Sequence, residues 1–131
     1  MTPKNRTPNP RDARFGAYEI LQRVEQGGYA DRLLDGHIKH NPEMEPRERG
    51  LLTELVYGVL RLRGRLDFAL GLFSRQPLQR LEPAALRLLR LGAYQLLELD
   101  RIPPHAAVHA TVDLAHQVGM SRVAGLINGT L

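Results

Sequence analysis

The chain has 131 residues, enough for one domain with a single core. Hydrophobic residues make up 43% and aromatic residues only 5%, which favours leucine-rich helices over a β-sandwich. The sequence contains no cysteine, so disulfides, thiolate metal sites and cysteine nucleophiles are excluded. It has no apolar run of the ~20 residues that a membrane span needs and no signal-peptide core, so we expect a cytoplasmic protein without a membrane partner.

Positive charge is concentrated in two segments, although the formal net charge is only +4. Residues 1–14 contain four basic residues and one acidic residue, and residues 61–90 contain seven arginines and two acidic residues. Such clustering is typical of a surface that binds a polyanion. Exposed arginines without any partner explain the same charge equally well, so charge alone leaves nucleic-acid binding open.

The first half of the chain predicts an arm followed by four helices. Residues 1–10, MTPKNRTPNP, contain three prolines among polar residues and predict a flexible basic arm. Apolar spacing predicts helices over 12–26 and 30–40. Pro46 opens a third, mostly buried helix with a wide apolar stripe. Gly64 predicts a break, after which a fourth helix continues toward Pro77.

The second half predicts three more helices. The segment PAALRLLRLGAYQLLEL predicts a helix with Leu97 among its inward residues and with Arg87 and Arg90 toward its edge. A rigid Ile-Pro-Pro connector at 102–104 separates it from the last two helices. The sequence therefore predicts an all-α fold of about seven helices, without strands, in a single domain over 11–131.

Three histidines, His105, His109 and His116, fall on roughly one side of the helix after the connector. Two histidines four residues apart can hold zinc, but a zinc-protease helix carries glutamate directly after the first histidine, where this chain has Ala106. No cysteine or acidic cluster completes a ligand set. We therefore predict a solvated helix face and no metal site.

No arrangement of side chains predicts catalysis by this chain. Ser74 and Ser121 are its only serines, and neither lies in a strand-to-helix elbow of the G-x-S-x-G type. Gly27 and Gly28 follow a helix rather than a strand, so they are not a phosphate-binding loop. We predict neither catalytic residues nor a cofactor.

Aromatic residues offer little for stacking on RNA bases, which single-stranded recognition usually uses. Tyr29 is a weak candidate, whereas Tyr18, Tyr57 and Tyr94 are predicted to lie in the core. Arginine remains the better candidate, because its planar guanidinium donates paired hydrogen bonds to phosphate oxygens. The identity of the recognised base is not readable from this pattern.

The order of three segments resembles a known family. LVYGVLR followed by LD, then LRLGAYQLLELDRIPPHAAV, then GLINGTL are similar to the NusB-like helical domain. That domain occurs at the N-terminus of small-subunit ribosomal RNA cytosine methyltransferases (Sun/NusB family) and, free-standing, as the antitermination factor NusB. The resemblance runs from about Arg11 to Leu131. It implies two helical subdomains packed across one another.

Two details favour the methyltransferase relatives over the free-standing factor. Residues 101–107, RIPPHAA, match the wording that is typical of the methyltransferases. Free-standing factors usually carry Asn-Glu-Ala shortly after Ile-Pro-Pro, where this chain has His109, Ala110 and Thr111. Thr130 departs from the usual valine of the last segment, a small change on a helix face.

The resemblance implies that another domain performs the chemistry. The enzymes concerned bind S-adenosylmethionine on a Rossmann-like sheet and attack the pyrimidine ring with a cysteine. This chain has no cysteine and no predicted strand. Its last predicted helix lacks a C-cap, so we expect a fragment truncated before a catalytic domain. Its expected partners are ribosomal RNA and the methyltransferase domain of the same parent chain, and no DNA is expected.

The resemblance also selects candidate RNA contacts. The free-standing factor has an arginine-rich start, which implies Arg11 and Arg14 as the best contacts, with Lys4 and Arg6 assisting. A second group rests on charge alone and comprises Arg75, Arg80, Arg87 and Arg90. Two alternatives stay open: an antitermination factor that binds RNA and a ribosomal protein, and a pure protein-docking module.

Overall fold

The structure, a computed structural model, describes residues 7–131, which form six α-helices and contain no strand. The helices are α1 (Ala13–Glu25), α2 (Ala30–His40), α3 (Pro46–Phe73), α4 (Pro83–Glu98), α5 (Pro104–Gln117) and α6 (Ala124–Thr130). Two short 3₁₀ turns precede α4 and α6. The all-α prediction is confirmed. No helix in the described range is long and apolar enough to cross a membrane.

The predicted break at Gly64 is wrong, because α3 runs for 28 residues without interruption. A glycine inside a helix costs about 1 kcal/mol relative to alanine. Leu66, just after the glycine, is fully buried, and Leu62, just before it, packs against the same core. This packing outweighs the local preference of glycine. Two predicted helices are therefore one, which reduces the expected seven to six.

Proline and glycine mark five of the helix ends. Pro46, Pro83 and Pro104 each occupy the first turn of their helix, where the missing amide hydrogen is not needed. Gly27 and Gly119 follow α1 and α5 with φ values of 100° and 74°, a backbone conformation that glycine adopts without strain. These residues let the chain reverse within short connections.

The helices form two groups that share one aliphatic core. In the first group α1 packs on α3, and in the second α5 packs on α4 and α6. The groups meet where α4 lies against both α1 and α3. Leu52, Leu55, Leu88 and Leu114 are among the fully buried side chains of this core. This arrangement agrees with the two packed subdomains that the family resemblance implies.

The contact between α3 and α4 is close at Gly58. A Cβ atom at this position would lie 2.2 Å from Cζ of Tyr94, so only glycine fits. Tyr94 is 3% exposed, and burial, together with the negative charge of Glu54, raises the pKa of its hydroxyl. The predictions that Tyr18 and Tyr94 lie in the core are confirmed.

Two residues predicted to lie in the core are instead exposed. Tyr57 is 40% exposed because it lies on α3 outside the buried stripe that contains Val56 and Val59. Leu97 is 51% exposed although Leu99, two residues further on, is 2% exposed, so Leu97 lies on the open side of the last turn of α4. Apolar spacing along a helix does not show how wide the covered face is.

Candidate nucleic-acid interface

The N-terminus of α1 is fixed by two carboxylates. Asp12 caps the helix, since its Oδ1 accepts a hydrogen bond of 2.9 Å from the amide of Arg14. Glu48 of α3 accepts a second one, also 2.9 Å long, from the amide of Ala13. Carboxylates stabilise this end of a helix because its first amides have no partner within the helix. The start of α1 is therefore held against α3.

A buried amide orients the side chain of Arg14. Its Nε donates a hydrogen bond of 2.7 Å to Oε1 of Gln95, which is fully buried on α4. The amide nitrogen of Gln95 donates in turn to the carbonyl oxygen of Leu91 at 3.1 Å. Because both ends of the amide are engaged, Gln95 cannot rotate away. The Gln95 amide is neutral, so this hydrogen bond does not pair the guanidinium with an opposite charge.

Two further arginines join Arg14 at one groove. Arg47, near the start of α3, and Arg101, just after α4, line this groove together with Glu48, Leu51 and Ile102. We call Arg14, Arg47 and Arg101 the arginine cleft. Three guanidinium groups at one groove form a positively charged surface of the kind that phosphate oxygens bind.

The members of the arginine cleft differ in their partners. Nη2 of Arg101 lies 2.8 Å from Oε1 of Glu54, and this hydrogen bond raises the pKa of Arg101. Arg47 is exposed and pairs with no carboxylate among residues 7–131. Among the described residues, Arg47 is therefore without a carboxylate partner, the Gln95 amide orients Arg14, and Glu54 pairs with Arg101. The pair of Arg101 and Glu54 is exposed and contributes little to stability.

The family resemblance indicated Arg14 but not Arg47 or Arg101. They are far apart in the chain, and only the packing of α1, α3 and α4 brings them to one groove. The available signal was weak: Arg47 follows the proline that opens α3, and Arg101 begins the RIPPHAA segment.

Arg11, the other described residue among the predicted N-terminal contacts, does not line the cleft. Lys4 and Arg6 fall outside the described residues. The Arg11 side chain is 62% exposed, and its Nε lies 3.9 Å from Oε2 of Glu43. Just before it, the amide of Asn9 donates to Oε1 of Gln117 at 3.2 Å, and the Pro10 carbonyl oxygen lies 2.8 Å from a histidine nitrogen of α2. Residues 9 and 10, predicted as part of the arm, thus contact the folded domain.

Arg75 and Arg80 are exposed in the connection between α3 and α4. Arg75 borders a different groove, together with Phe73 and residues of α6. Neither arginine lines the arginine cleft. Of the predicted contacts, Arg14 therefore lines the arginine cleft and Arg75 a separate groove.

The prediction that Arg87 and Arg90 lie toward an exposed edge is wrong. They are only 5% and 7% exposed. Arg87 donates two hydrogen bonds to Glu25, of 2.9 and 2.8 Å, and Arg90 donates two to Asp67, of 2.7 and 2.8 Å. Carboxylates on α1 and α3 face these positions, so the arginines are buried as neutral pairs and tie α4 to both helices.

The environment of Arg87 maintains its charge. Burial lowers the pKa of the guanidinium, but the hydrogen bonds and charge of Glu25 outweigh burial and raise it overall. The ring of Tyr18 lies 4.8 Å from the guanidinium carbon and adds a cation–π contact. Glu25 thus occupies one edge of this guanidinium and the Tyr18 ring one face, and with 5% exposure it is not available to a phosphate group.

The histidines do not converge. His105 and His109 are exposed, and Nδ1 of His116 lies 2.8 Å from the Ser121 hydroxyl. Within the described range, no three side chains among histidine, cysteine, aspartate and glutamate are placed to hold a metal ion.

Comparison with known proteins points to one family. The sequence profile of the NusB family matches residues 11–131. The chain is 42% identical to a probable ribosomal RNA small subunit methyltransferase B of Bacillus subtilis, over 88% of this chain and 26% of that protein. A protein of the same name from Synechocystis is 36% identical over 91% of this chain and 27% of its own length. No solved structure gives a significant match.

The ribosomal RNA small subunit methyltransferase B of Escherichia coli is also 36% identical, over 89% of this chain and 26% of its own length. The chain thus spans about a quarter of the length of the curated relatives that it matches. Its six helices agree with the helical fold that the family resemblance implies. The chain therefore belongs to the NusB family and corresponds to the N-terminal NusB-like domain of these longer relatives.

Proposed function

We propose that this chain is the RNA-binding accessory domain of an S-adenosylmethionine-dependent ribosomal RNA cytosine-5 methyltransferase, and that it works in the cytoplasm. Its role is to hold ribosomal RNA while another domain of the same protein transfers the methyl group. The chain itself contains no cysteine for the covalent step that the family resemblance implies. The names and lengths of the relatives support a methyltransferase parent.

The arginine cleft is the single observation that carries the RNA-binding role. Arg14, Arg47 and Arg101 come from three parts of the chain and converge on one groove. Gln95 orients Arg14 without neutralising it. A preorganised guanidinium loses less side-chain entropy when it binds a phosphate group than a freely moving one does. Arg11 lies three residues before Arg14 in the chain and is proposed as a further contact, with Lys4 and Arg6 assisting.

The alternative of a free-standing antitermination factor has weaker support. The three methyltransferases compared above are each about four times as long as the matched region. A pure protein-docking role would leave the convergence of three arginines without a ligand. An RNA-bridged association with a partner is lost on nuclease treatment, whereas direct protein docking is not.

The charge of the cleft makes the RNA-binding role testable by salt dependence. We expect Arg14→Ala/Arg47→Ala to lower the affinity for purified small-subunit ribosomal RNA about tenfold at low salt. The slope of log affinity against log salt should fall by about 1.4, since each of the two lost phosphate contacts on a single strand removes ~0.7. Filter binding at several salt concentrations measures both quantities.

The matched control is Arg75→Ala/Arg80→Ala, which removes the same charge from two exposed arginines that lie outside the arginine cleft. We expect this variant to bind with close to the wild-type slope. If both double variants lose equal affinity and equal slope, binding depends on net charge alone and the assignment to the arginine cleft is wrong.

A further inference from the structure

Three large apolar side chains are exposed at the C-terminal end of α3. Phe68, Leu72 and Phe73 are 72%, 67% and 69% exposed, respectively. Phe68 and Leu72 lie one helical turn apart and so share a face, and Phe73 is the last residue of the helix. We call these three residues the α3 patch. Contiguous exposed apolar side chains of this size are typical of a surface that another chain segment covers.

The α3 patch forms one side of an open groove. Phe68 and Leu72 line it on α3, and Pro77 and Leu78 of the following connection line it opposite. Gly71, one residue before Leu72, has open space where a Cβ atom would lie. The backbone of α3 is therefore accessible beside the apolar side chains, a shape that accepts an amphipathic helix.

The margins of the groove are positively charged. Arg63 lines the groove, and Arg75 lies next to Phe73 in the neighbouring one. Neither arginine forms an ion pair within residues 7–131. Asp67, the acidic residue of the groove, is already paired with Arg90. An apolar segment with carboxylates at its margins complements this surface.

The position of α6 indicates which segment reaches the groove first. Leu126 and Thr130 of α6 line the neighbouring groove together with Phe73, so the end of α6 lies beside the Phe73 margin of the α3 patch. The relatives extend to about four times the matched length, and this domain is N-terminal in them. In a protein of that length the next segment starts beside the patch, at a high effective concentration.

We propose that the α3 patch is the docking site for the segment that follows this domain in the full-length methyltransferase. The docked segment presents apolar side chains to Phe68, Leu72 and Phe73, and carboxylates to Arg63 and Arg75. This proposal rests on the proposed function, because it requires the longer protein. It uses a surface separate from the arginine cleft, so docking and RNA binding are separable by mutation.

Hydrogen exchange in two lengths of the protein tests the docking. We expect the amides of residues 66–75 to exchange at least about tenfold more slowly in the full-length protein than in the 131-residue chain, because docking suppresses local opening. Phe68→Asp/Leu72→Asp in the full-length protein should remove this added protection. Both side chains are exposed, so circular dichroism should show unchanged helix content.

The control is Leu97→Asp, which introduces the same charge at an exposed leucine on α4 and should leave the added protection intact. Equal exchange of residues 66–75 in the two lengths overturns the proposal. So does protection that rises with concentration in the 131-residue chain alone, because a second copy is then the occupant. The two proposals can fail separately. If the full-length Arg14→Ala/Arg47→Ala variant keeps both its RNA affinity and the added protection of residues 66–75, the RNA-binding proposal is wrong and the docking proposal stands.

Discussion

The arginines of α4 and those of the arginine cleft have opposite environments within one small domain. Arg87 and Arg90 each donate two hydrogen bonds to a carboxylate and are almost fully buried. Arg14 instead donates to the neutral amide of Gln95 and lines an open groove. A carboxylate partner turns arginine into a structural link between helices, whereas an amide partner orients it for a ligand.

The largest expected effect is a loss of stability when the buried ion pair of Arg87 and Glu25 is removed. Arg87→Met removes both hydrogen bonds to Glu25 and leaves a partly buried carboxylate without its partner. We expect the free energy of unfolding to fall by about 3 kcal/mol. Urea denaturation followed by circular dichroism measures it. The double variant Arg87→Met/Glu25→Met should recover part of the loss, and a single variant as stable as the wild type would contradict the structural role.

A smaller effect is expected on RNA binding when Gln95, which orients Arg14, is replaced. Gln95 is fully buried and cannot touch RNA, yet it holds Nε of Arg14. We expect Gln95→Met to weaken RNA binding about threefold to tenfold, the equivalent of one lost orienting hydrogen bond of ~1 kcal/mol. Filter binding measures it. In the Arg14→Ala background the same change should have no further effect, and an additive loss would show that Gln95 does not act through Arg14.

The smallest expected effect concerns the exposed pair of Arg101 and Glu54. Glu54→Gln removes the carboxylate of the exposed pair with Arg101, and Glu25→Gln removes that of the buried pair with Arg87. We expect Glu54→Gln to change the free energy of unfolding by less than about 0.5 kcal/mol. The affinity for RNA should rise slightly, because Arg101 no longer shares its charge with Glu54. A loss of stability comparable to that of Glu25→Gln would remove the distinction between buried and exposed pairs.

Local signals in the sequence were sufficient for most of the fold. The apolar spacing and the flanking glycines and prolines predicted α1 and α2 to within one residue at each end, and the Ile-Pro-Pro element correctly separated α4 from α5. Gly64 misled, because its local preference is small compared with the burial of Leu66 and Leu70 in the same helix.

The surfaces were harder to predict because they depend on pairs that are distant in the chain. The spacing of apolar residues in α4 places Arg87 and Arg90 toward the edge of the helix. Only the packing of α1 and α3 brings Glu25 beside Arg87 and Asp67 beside Arg90. Likewise, Arg47 and Arg101 gain their significance only from the groove that they share with Arg14. Residue type and spacing identify which side chains can bind phosphate but not which are already paired.

The unbroken length of α3 has a mechanical consequence. Arg47 lies in its first turn and Phe73 at its last residue, so a single rod of 28 residues, about 40 Å long, carries one proposed contact surface at each end. A hinge at Gly64 would have let these ends swing independently. A continuous helix is stiff, so it holds the proposed RNA contact and the proposed docking site at a constant distance from each other.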